Sequence, residues 1–502
     1  MISLLVKEKL YINEVVLGTG FGVLMGPHVA NAFNPAGWSD TEEGYRKITL
    51  EVMRVVLATG LFAIGVELPK NYMAKHAKGL LVMVVPTMAI GWVIVAGLLK
   101  ALFPILDFIS CLVIAACLTP TDPVISAAIV GGKFAVKHVP VNIRQIIAAE
   151  SAANDGLAYP FLSIAIYLTM EASTKSAVGK WFLVGWLYEV ILGTVLGAVL
   201  GLAFSWTMRI SHQRGYLDHE SYVAQYLSLS LLTIGIASTI GSDDLLAAFA
   251  AGSAISWDGS FNTHTEDEVF ASVIDQLLNC ACFIYIGAWL PFTDFNLPEF
   301  GVVPWRLIVL FVAILVLRRF PSIMMLFRWV PEIRTWKEAL FTGHFGPMGV
   351  GAVFISTIAL ERLPHPGEHP TTQPEILARI LQPIVSFVVL GSIIVHGLSI
   401  PFFSFGKRTI SLTMSSTFGN NRTETQDYVR SLVGRPAPVF HSGRPPTSGT
   451  PSISSKPASV KAPVTIGAHP ASGPGSPLGT PPRRTSGELI SVRYFLHSFA
   501  LK

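Results

Sequence analysis

The amino-acid sequence predicts an all-α polytopic membrane protein, a bundle of about twelve transmembrane helices followed by a disordered tail. Three observations carry this. Only 14% of the 502 residues are charged while 51% are apolar, whereas soluble chains carry roughly 25% charged residues. Mean hydropathy is +0.54, so little of the chain can face water. The apolar residues are also gathered into long windows, and from about Lys407 the composition changes to Ser, Pro, Gly and Thr.

A helix needs about 20 apolar residues to cross a hydrocarbon core of ~30 Å, where every backbone amide must find a partner. Windows meeting or approaching that length lie near 12–33, 49–69, 79–99, 106–131, 145–170, 181–208, 222–241, 244–257, 272–291, 303–327, 339–360 and 376–404. Lys7, Glu8 and Lys9 precede the first window with no small-residue cleavage site after it, so it reads as a span and not a leader. Residues 1–406 are read as the transmembrane domain and 407–502 as a tail that buries too little apolar surface to fold. Thr450-Pro451, Ser476-Pro477 and Arg483-Arg484-Thr485-Ser486 resemble kinase sites, which makes protein kinases expected partners of the tail. The sequon at Asn421 would go unmodified on a cytoplasmic tail. The closing stretch Leu489–Leu501 turns apolar again, enough to touch a membrane surface, and carries no firmer reading.

Positive charge resists translocation and therefore orients the bundle. Lys70, Lys75 and Lys78, then Lys133, Lys137 and Arg144, then Arg209 and Arg214, then Arg328, Arg334 and Lys337 fall in alternate loops. Those loops and the C-terminus are placed in the cytoplasm. Net charge is +4 with no basic run interleaved with aromatics, which excludes nucleic acid as a partner. Cys111, Cys117, Cys280 and Cys282 all lie in apolar stretches and read as packing residues. No nucleotide-binding loop, zinc-ligand set or nucleophile elbow occurs, so neither a cofactor nor an enzymatic reaction is expected.

Ionisable groups inside spans are costly unless paired or wet, so each is a functional hypothesis. They are Glu67, Asp122, Glu150, Asp155, Asp275, Arg318, Arg319, His344 and His396. Pro120 and Pro123 flank Thr121 and Asp122, and break the fourth helix at mid-membrane. A broken helix leaves carbonyls and half-helix ends free to coordinate an ion, and the Asp122 carboxylate would neutralise the half-helix N-terminus facing it. His344-Phe345-Gly346-Pro347-Met348-Gly349 marks a second weak place in the eleventh window. Windows three to five and ten to twelve thus read as an internal repeat, the pattern of transporters with a site at the repeat interface.

Residues four apart share a helix face. Ser151 and Asp155 therefore form one ridge, a hydroxyl and a carboxylate suited to a small alkali cation, and Glu150 and Asn154 form another. Arg318 or Arg319 is the available counter-ion for Glu150. His344 and His396 read either as partners of backbone carbonyls or as proton carriers. Asp243 and Asp244 fall at a span end, and Gly193, Gly197 and Gly201 permit close packing within the chain or between two copies.

Thr121-Asp122-Pro123-Val124, Glu150-Ser151 with Asn154-Asp155-Gly156, Phe62 to Pro69 with Glu67, and Arg318-Arg319-Phe320-Pro321 together resemble the cation/proton antiporters, and most closely the fungal plasma-membrane sodium/proton antiporters. The likeness covers about Leu10 to Lys407. It implies the sodium/proton antiporter fold, with inverted repeats and two crossed unwound helices, as a homodimer of protomers with a core and a dimerisation domain. It implies sodium and proton as substrates, with lithium or potassium as alternatives to sodium. Asp155 would bind cation or proton, Ser151, Thr121 through its backbone, Asp122 and Glu67 would complete or surround the site, and Asn154 would fasten the broken helix. Glu150 would pair with Arg319, which Pro321 closely follows, in preference to Arg318. Family members usually begin with one further helix, so by this resemblance the chain would start at about the family's second, with its N-terminus expected in the cytoplasm. Asn and not Asp at position 154 leans toward one-for-one, electroneutral exchange. The alternatives are an anion carrier or a passive ion channel on the same bundle.

Overall fold

The computed structural model describes residues 13–131, 133–216, 219–259, 261, 269–367 and 369–417. The tail sites and sequon, the closing apolar stretch and Lys7 to Lys9 lie outside the described residues. Among the described residues the regular structure is helical, apart from one isolated antiparallel bridge between Leu297 and Val302.

All twelve windows contain helix, six of them long and apolar enough to cross a membrane. The first is α1, Glu14–Met25. It ends earlier than the window 12–33 suggests, because Gly26 is extended (φ −71°, ψ −180°) and Pro27 supplies no amide to continue the helix. α2, Glu42–Glu67, follows a Thr41 cap whose hydroxyl accepts the Gly44 amide at 3.1 Å.

The third window is α3 (Ala77–Val84) and α4 (Pro86–Leu102). Pro86 removes the amide that would meet the Val82 carbonyl, and the Thr87 hydroxyl bonds that oxygen at 2.9 Å instead. The fourth is α5 (Phe108–Leu118) and α6 (Pro123–Val130), the fifth α7 (Val141–Gly156) and α8 (Ala158–Met170).

α9 (Thr174–Lys180), a π-helical stretch Trp181–Ile191 and α10 (Leu192–Gln213) form one continuous helix of 40 residues. Then come α11 (His219–Ile240), α12 (Asp244–Ile255) and α13 (Val269–Trp289). The tenth window is α14 (Pro304–Leu317) and α15 (Phe320–Leu326), interrupted at Arg318 and Arg319 just before Pro321. The eleventh is α16 (Trp336–His344) and α17 (Val350–Arg362), and the last is α18, Gln373–Thr417, which runs on past Lys407.

The glycine repeat in α10 packs inside the chain. Its face lies against α12 so closely that a β-carbon on Gly197 would overlap the backbone carbonyl of Ala247, and one on Gly193 would stand 2.7 Å from that of Asp243. The opposite face of the same long helix leaves Leu183, Leu187, Val195, Val199 and Trp206 exposed, as a lipid-facing or docking surface would be.

Replacing Gly197 by Ala should therefore lower the melting midpoint of the detergent-solubilised protein, since overpacking against rigid backbone costs about 1–3 kcal/mol. Gly179→Ala, where nothing lies within 4 Å of the added carbon, should hold or raise it through helix propensity. Equal midpoints for the two variants would show that the α10–α12 contact is not tight.

Candidate functional site at the crossing of two broken helices

The fourth and eleventh windows are both interrupted, and the interruptions meet. The Asp122 amide donates to the Pro347 carbonyl at 2.8 Å. Between α5 and α6 the prolines at 120 and 123 remove amides, and Asp122 takes an extended conformation (φ −60°, ψ 121°) as the N-cap of α6. Between α16 and α17 Pro347 removes another amide, and Gly349 adopts φ −158°, ψ −120° before α17 starts.

Each break exposes partial positive charge at a helix N-terminus and partial negative charge at a C-terminus. One Asp122 oxygen accepts the Ile125 amide at 2.7 Å, and the other accepts the Gly351 amide at 3.2 Å. Its carboxylate thus serves the N-termini of α6 and α17 together. Arg318 serves the carbonyl ends. One of its Nη groups donates to the carbonyls of Leu118, Thr119 and Pro120 at 3.0, 2.7 and 3.1 Å, and the other donates to the Gly346 carbonyl. Sequence reasoning offered Arg318 only as a counter-ion for Glu150. A clamp on carbonyls has no sequence signature beyond a buried cation next to broken helices.

Arg319 is the residue that pairs with Glu150. Its two Nη groups donate to the two carboxylate oxygens at 2.7 and 2.8 Å, while Nε donates to the Thr342 carbonyl at 3.0 Å. This is the two-pronged geometry that suits guanidinium to carboxylate. Asn154, one turn along α7, is fully engaged. Its Oδ1 accepts the Thr121 amide at 3.1 Å, and its Nδ2 donates to Thr121 Oγ1 at 2.8 Å and to Glu150 Oε1 at 3.0 Å. Thr121 Oγ1 donates to Ser151 Oγ at 3.2 Å, and Ser151 Oγ to Ser126 Oγ at 3.1 Å. Ser126 is a site residue that sequence reasoning missed, although it lies one turn beyond Asp122 on α6.

Asp155 differs from all of these. It is 0% exposed, and both carboxylate oxygens are buried with no hydrogen-bond partner. Gly351 faces it across the crossing so closely that a β-carbon there would stand 2.5 and 2.6 Å from the two oxygens. The charges that act on it are those of Asp122, Asp243 and Glu150, all of the same sign. A buried carboxylate with every lone pair unused is compensated by a proton or by a cation.

Glu67 stands apart. It is the last residue of α2 and exposed, and among the described residues no hydrogen bond joins it to Asp122, Ser151, Thr121 or Asp155. It closes the helix, where its charged neighbour is Asp275 of α13. A second polar group lies beyond Asp155. Asp243 caps α12 through the Leu246 amide at 2.8 Å, Asp244 accepts from Arg54 Nε at 2.6 Å, and Glu189 accepts from Arg362 at 3.1 Å. Glu189 was legible as an acid inside an apolar span and was overlooked.

Residues 1–406 match the family described as sodium/hydrogen exchanger, transmembrane. The chain is 43% identical to a probable Na(+)/H(+) antiporter of Schizosaccharomyces pombe, over 83% of this chain and 55% of the relative. It is 38% identical to a Na(+)/H(+) antiporter of Saccharomyces cerevisiae, over 88% of this chain and 46% of the relative. A second Na(+)/H(+) antiporter of Schizosaccharomyces pombe is 40% identical over 78% of this chain and 85% of its own length. The chain thus spans about half the length of the first two relatives. The solved sodium proton antiporter MjNhaP1 of Methanocaldococcus jannaschii has the same fold, with a TM-score of 0.59 over 80% of this chain and 94% of that one at 16% identity.

The Glu150–Arg319 pair makes a stability prediction. Glu150→Gln or Arg319→Gln alone strands a buried charge at a cost of about 3–5 kcal/mol, and should sharply lower the melting midpoint. The double variant, Glu150→Gln with Arg319→Gln, should melt above the lower of the two singles. Losses that simply add would mean that the two groups are not coupled.

Proposed function

The chain belongs to the transmembrane sodium/hydrogen exchanger family, and on that premise we propose that it is a multi-pass secondary antiporter exchanging cytoplasmic sodium for external protons by alternating access. The observation that carries this reading is the unpartnered, fully buried carboxylate of Asp155 at the crossing of the two broken helices.

Every other charge at the crossing has a partner in the fold. Glu150 is balanced by Arg319, Arg318 by four carbonyls, and Asp122 by two half-helix N-termini. One carboxylate remains for a mobile ion. Burial disfavours a bare charge, so Asp155 takes up either a proton or a cation, and each excludes the other. Exchange then needs no ATP, because the coupling is the differential affinity of one site for two ligands in two conformations. The Ser151 hydroxyl lies one turn from Asp155 on α7 and the Thr121 hydroxyl bonds Ser151 in turn, and both supply hard oxygens suited to sodium, lithium or potassium. Asn154 is neutral and committed to Thr121 and Glu150, which supports one-for-one, electroneutral exchange.

The exposed lysines of the loop at Lys70, Lys75 and Lys78 support a cytoplasmic assignment for that loop, and with it a cytoplasmic C-terminus. The plasma membrane is the proposed location and a homodimer the proposed assembly, with the exposed apolar face of α9 to α10 free to take part. An anion carrier would place unpaired positive charge at the crossing, whereas the unpaired charge there is a carboxylate. A passive channel would need a continuous polar lining, and these polar groups concentrate at one depth.

Reconstituted in proteoliposomes with an imposed pH gradient, the native chain should dissipate the gradient on addition of sodium or lithium, and Asp155→Asn should not. An equal response from both would remove Asp155 from the mechanism. In the same vesicles a membrane potential imposed without ion gradients should drive no exchange by the native chain. Flux under voltage alone would establish electrogenic transport.

A further inference from the structure

The break between α16 and α17 is held at both ends by one neighbouring helix. On α18, Ser392 and His396 are one turn apart and share a face. The Met348 amide, on the far side of the break, donates to Ser392 Oγ at 2.7 Å. His396 Nε2 lies 3.0 Å from the His344 carbonyl, on the near side. Between the two, Ser392 Oγ lies 3.2 Å from His396 Nδ1. His396 is 2% exposed and Ser392 0%.

Hydrogen-bond chemistry fixes the direction of the bond to His344. A carbonyl oxygen only accepts, so His396 Nε2 carries the proton and donates to His344. His396 Nδ1 lies 3.0 Å from the Ser392 carbonyl and 3.2 Å from the Ser392 hydroxyl, and the Ser392 Oγ accepts the Met348 amide, so the other edge of the ring is held against α18. Two atoms on opposite edges of one rigid ring thereby set the distance between the last carbonyl of α16 and the first amide beyond Pro347.

We propose that His396, donating through Nε2 to the His344 carbonyl, is a positioning residue that clips the unwound segment 345–349 and so sets the geometry of the ion site without touching the ion. The segment it holds supplies the Pro347 carbonyl to the Asp122 amide, the Gly346 carbonyl to Arg318 and, just beyond, the Gly351 amide to Asp122. Gly351 also abuts Asp155. Loosening the clip lets these groups drift together, which weakens ion binding while the acid that binds the ion stays intact. The effect on ion affinity rests on the exchange reading above, whereas the clip itself does not.

The test is hydrogen–deuterium exchange of the full chain in nanodiscs, read on peptides covering 344–350, together with sodium KM in proteoliposomes. His396→Leu should accelerate exchange at Met348 about five-fold and raise the sodium KM about five-fold, the size expected for one lost buried hydrogen bond, with maximal rate nearly unchanged. His396→Gln offers both a donor and an acceptor on one amide and should restore both readouts. Ser392→Ala should accelerate exchange as His396→Leu does, and carries the test if the leucine variant does not fold. Native exchange rates at Met348 in His396→Leu, or in Ser392→Ala if it alone folds, would overturn the clip. Faster exchange at unchanged KM would overturn its role in ion affinity, as would a fall in maximal rate that Gln does not rescue. If the native chain moves no ions, the function proposed above fails while the exchange data still judge the clip.

Discussion

The rest of this structure depends on one requirement, that unwound backbone inside a membrane bundle must have every polar group satisfied without water. Two helices give up their internal bonding at the same place, and each break exposes amides at one end and carbonyls at the other. The solution is electrostatic as well as geometric. A single carboxylate, Asp122, accepts amides from both half-helix N-termini, and a single guanidinium, Arg318, donates to carbonyls at both C-terminal ends. The breaks also bond to each other directly through Asp122 and Pro347. Neither break would be tolerable alone, because each supplies part of the other's solution.

A second consequence is that charge at the crossing divides into groups that hold the fold and one group left over. Glu150 and Arg319 fasten α7 to the interruption between α14 and α15, and Asn154 ties that pair to Thr121 in the first break. Removing either member of the pair would strand its partner in a dry interior, so these residues are necessary to the crossing as a whole. The group around Asp243, Asp244 and Glu189 repeats the theme, with Arg54 and Arg362 as counter-ions.

How much of this was legible in the sequence varied with how local the cause was. Pro120 and Pro123 around Asp122 announce a broken helix, because the lost amides are encoded at the break itself. The ridges of α7 were equally readable, since helical spacing alone puts Asp155 one turn from Ser151. Arg318 was not readable in its actual role, because its partners are carbonyls that every residue possesses. Glu67 was drawn toward the site by the likeness of its segment to a family motif, whereas the course of α2 leaves it exposed at the helix end. The glycine repeat of α10 pointed correctly to a close approach, but only the three-dimensional packing identifies α12 as the partner. In α1 the window of hydropathy outran the helix, since hydropathy averages across a Gly-Pro stop that backbone geometry does not cross.

The same division explains why one acid at the crossing, Asp155, carries no hydrogen bonds. A carboxylate bonded by amides or hydroxyls has its charge already satisfied, and binding a proton or a cation would then require breaking those bonds. Asp122 and Glu150 are in that condition and are therefore fixed parts of the framework. Asp155 lies among side chains that are committed to one another, against a glycine whose missing side chain leaves the space its oxygens occupy. Its orientation is set by packing, and no group of the fold answers its charge by a hydrogen bond. Rigidity in the surrounding network and the lack of a partner at this one position are thus two aspects of one arrangement, since a looser framework would let a neighbouring hydroxyl turn and satisfy the acid.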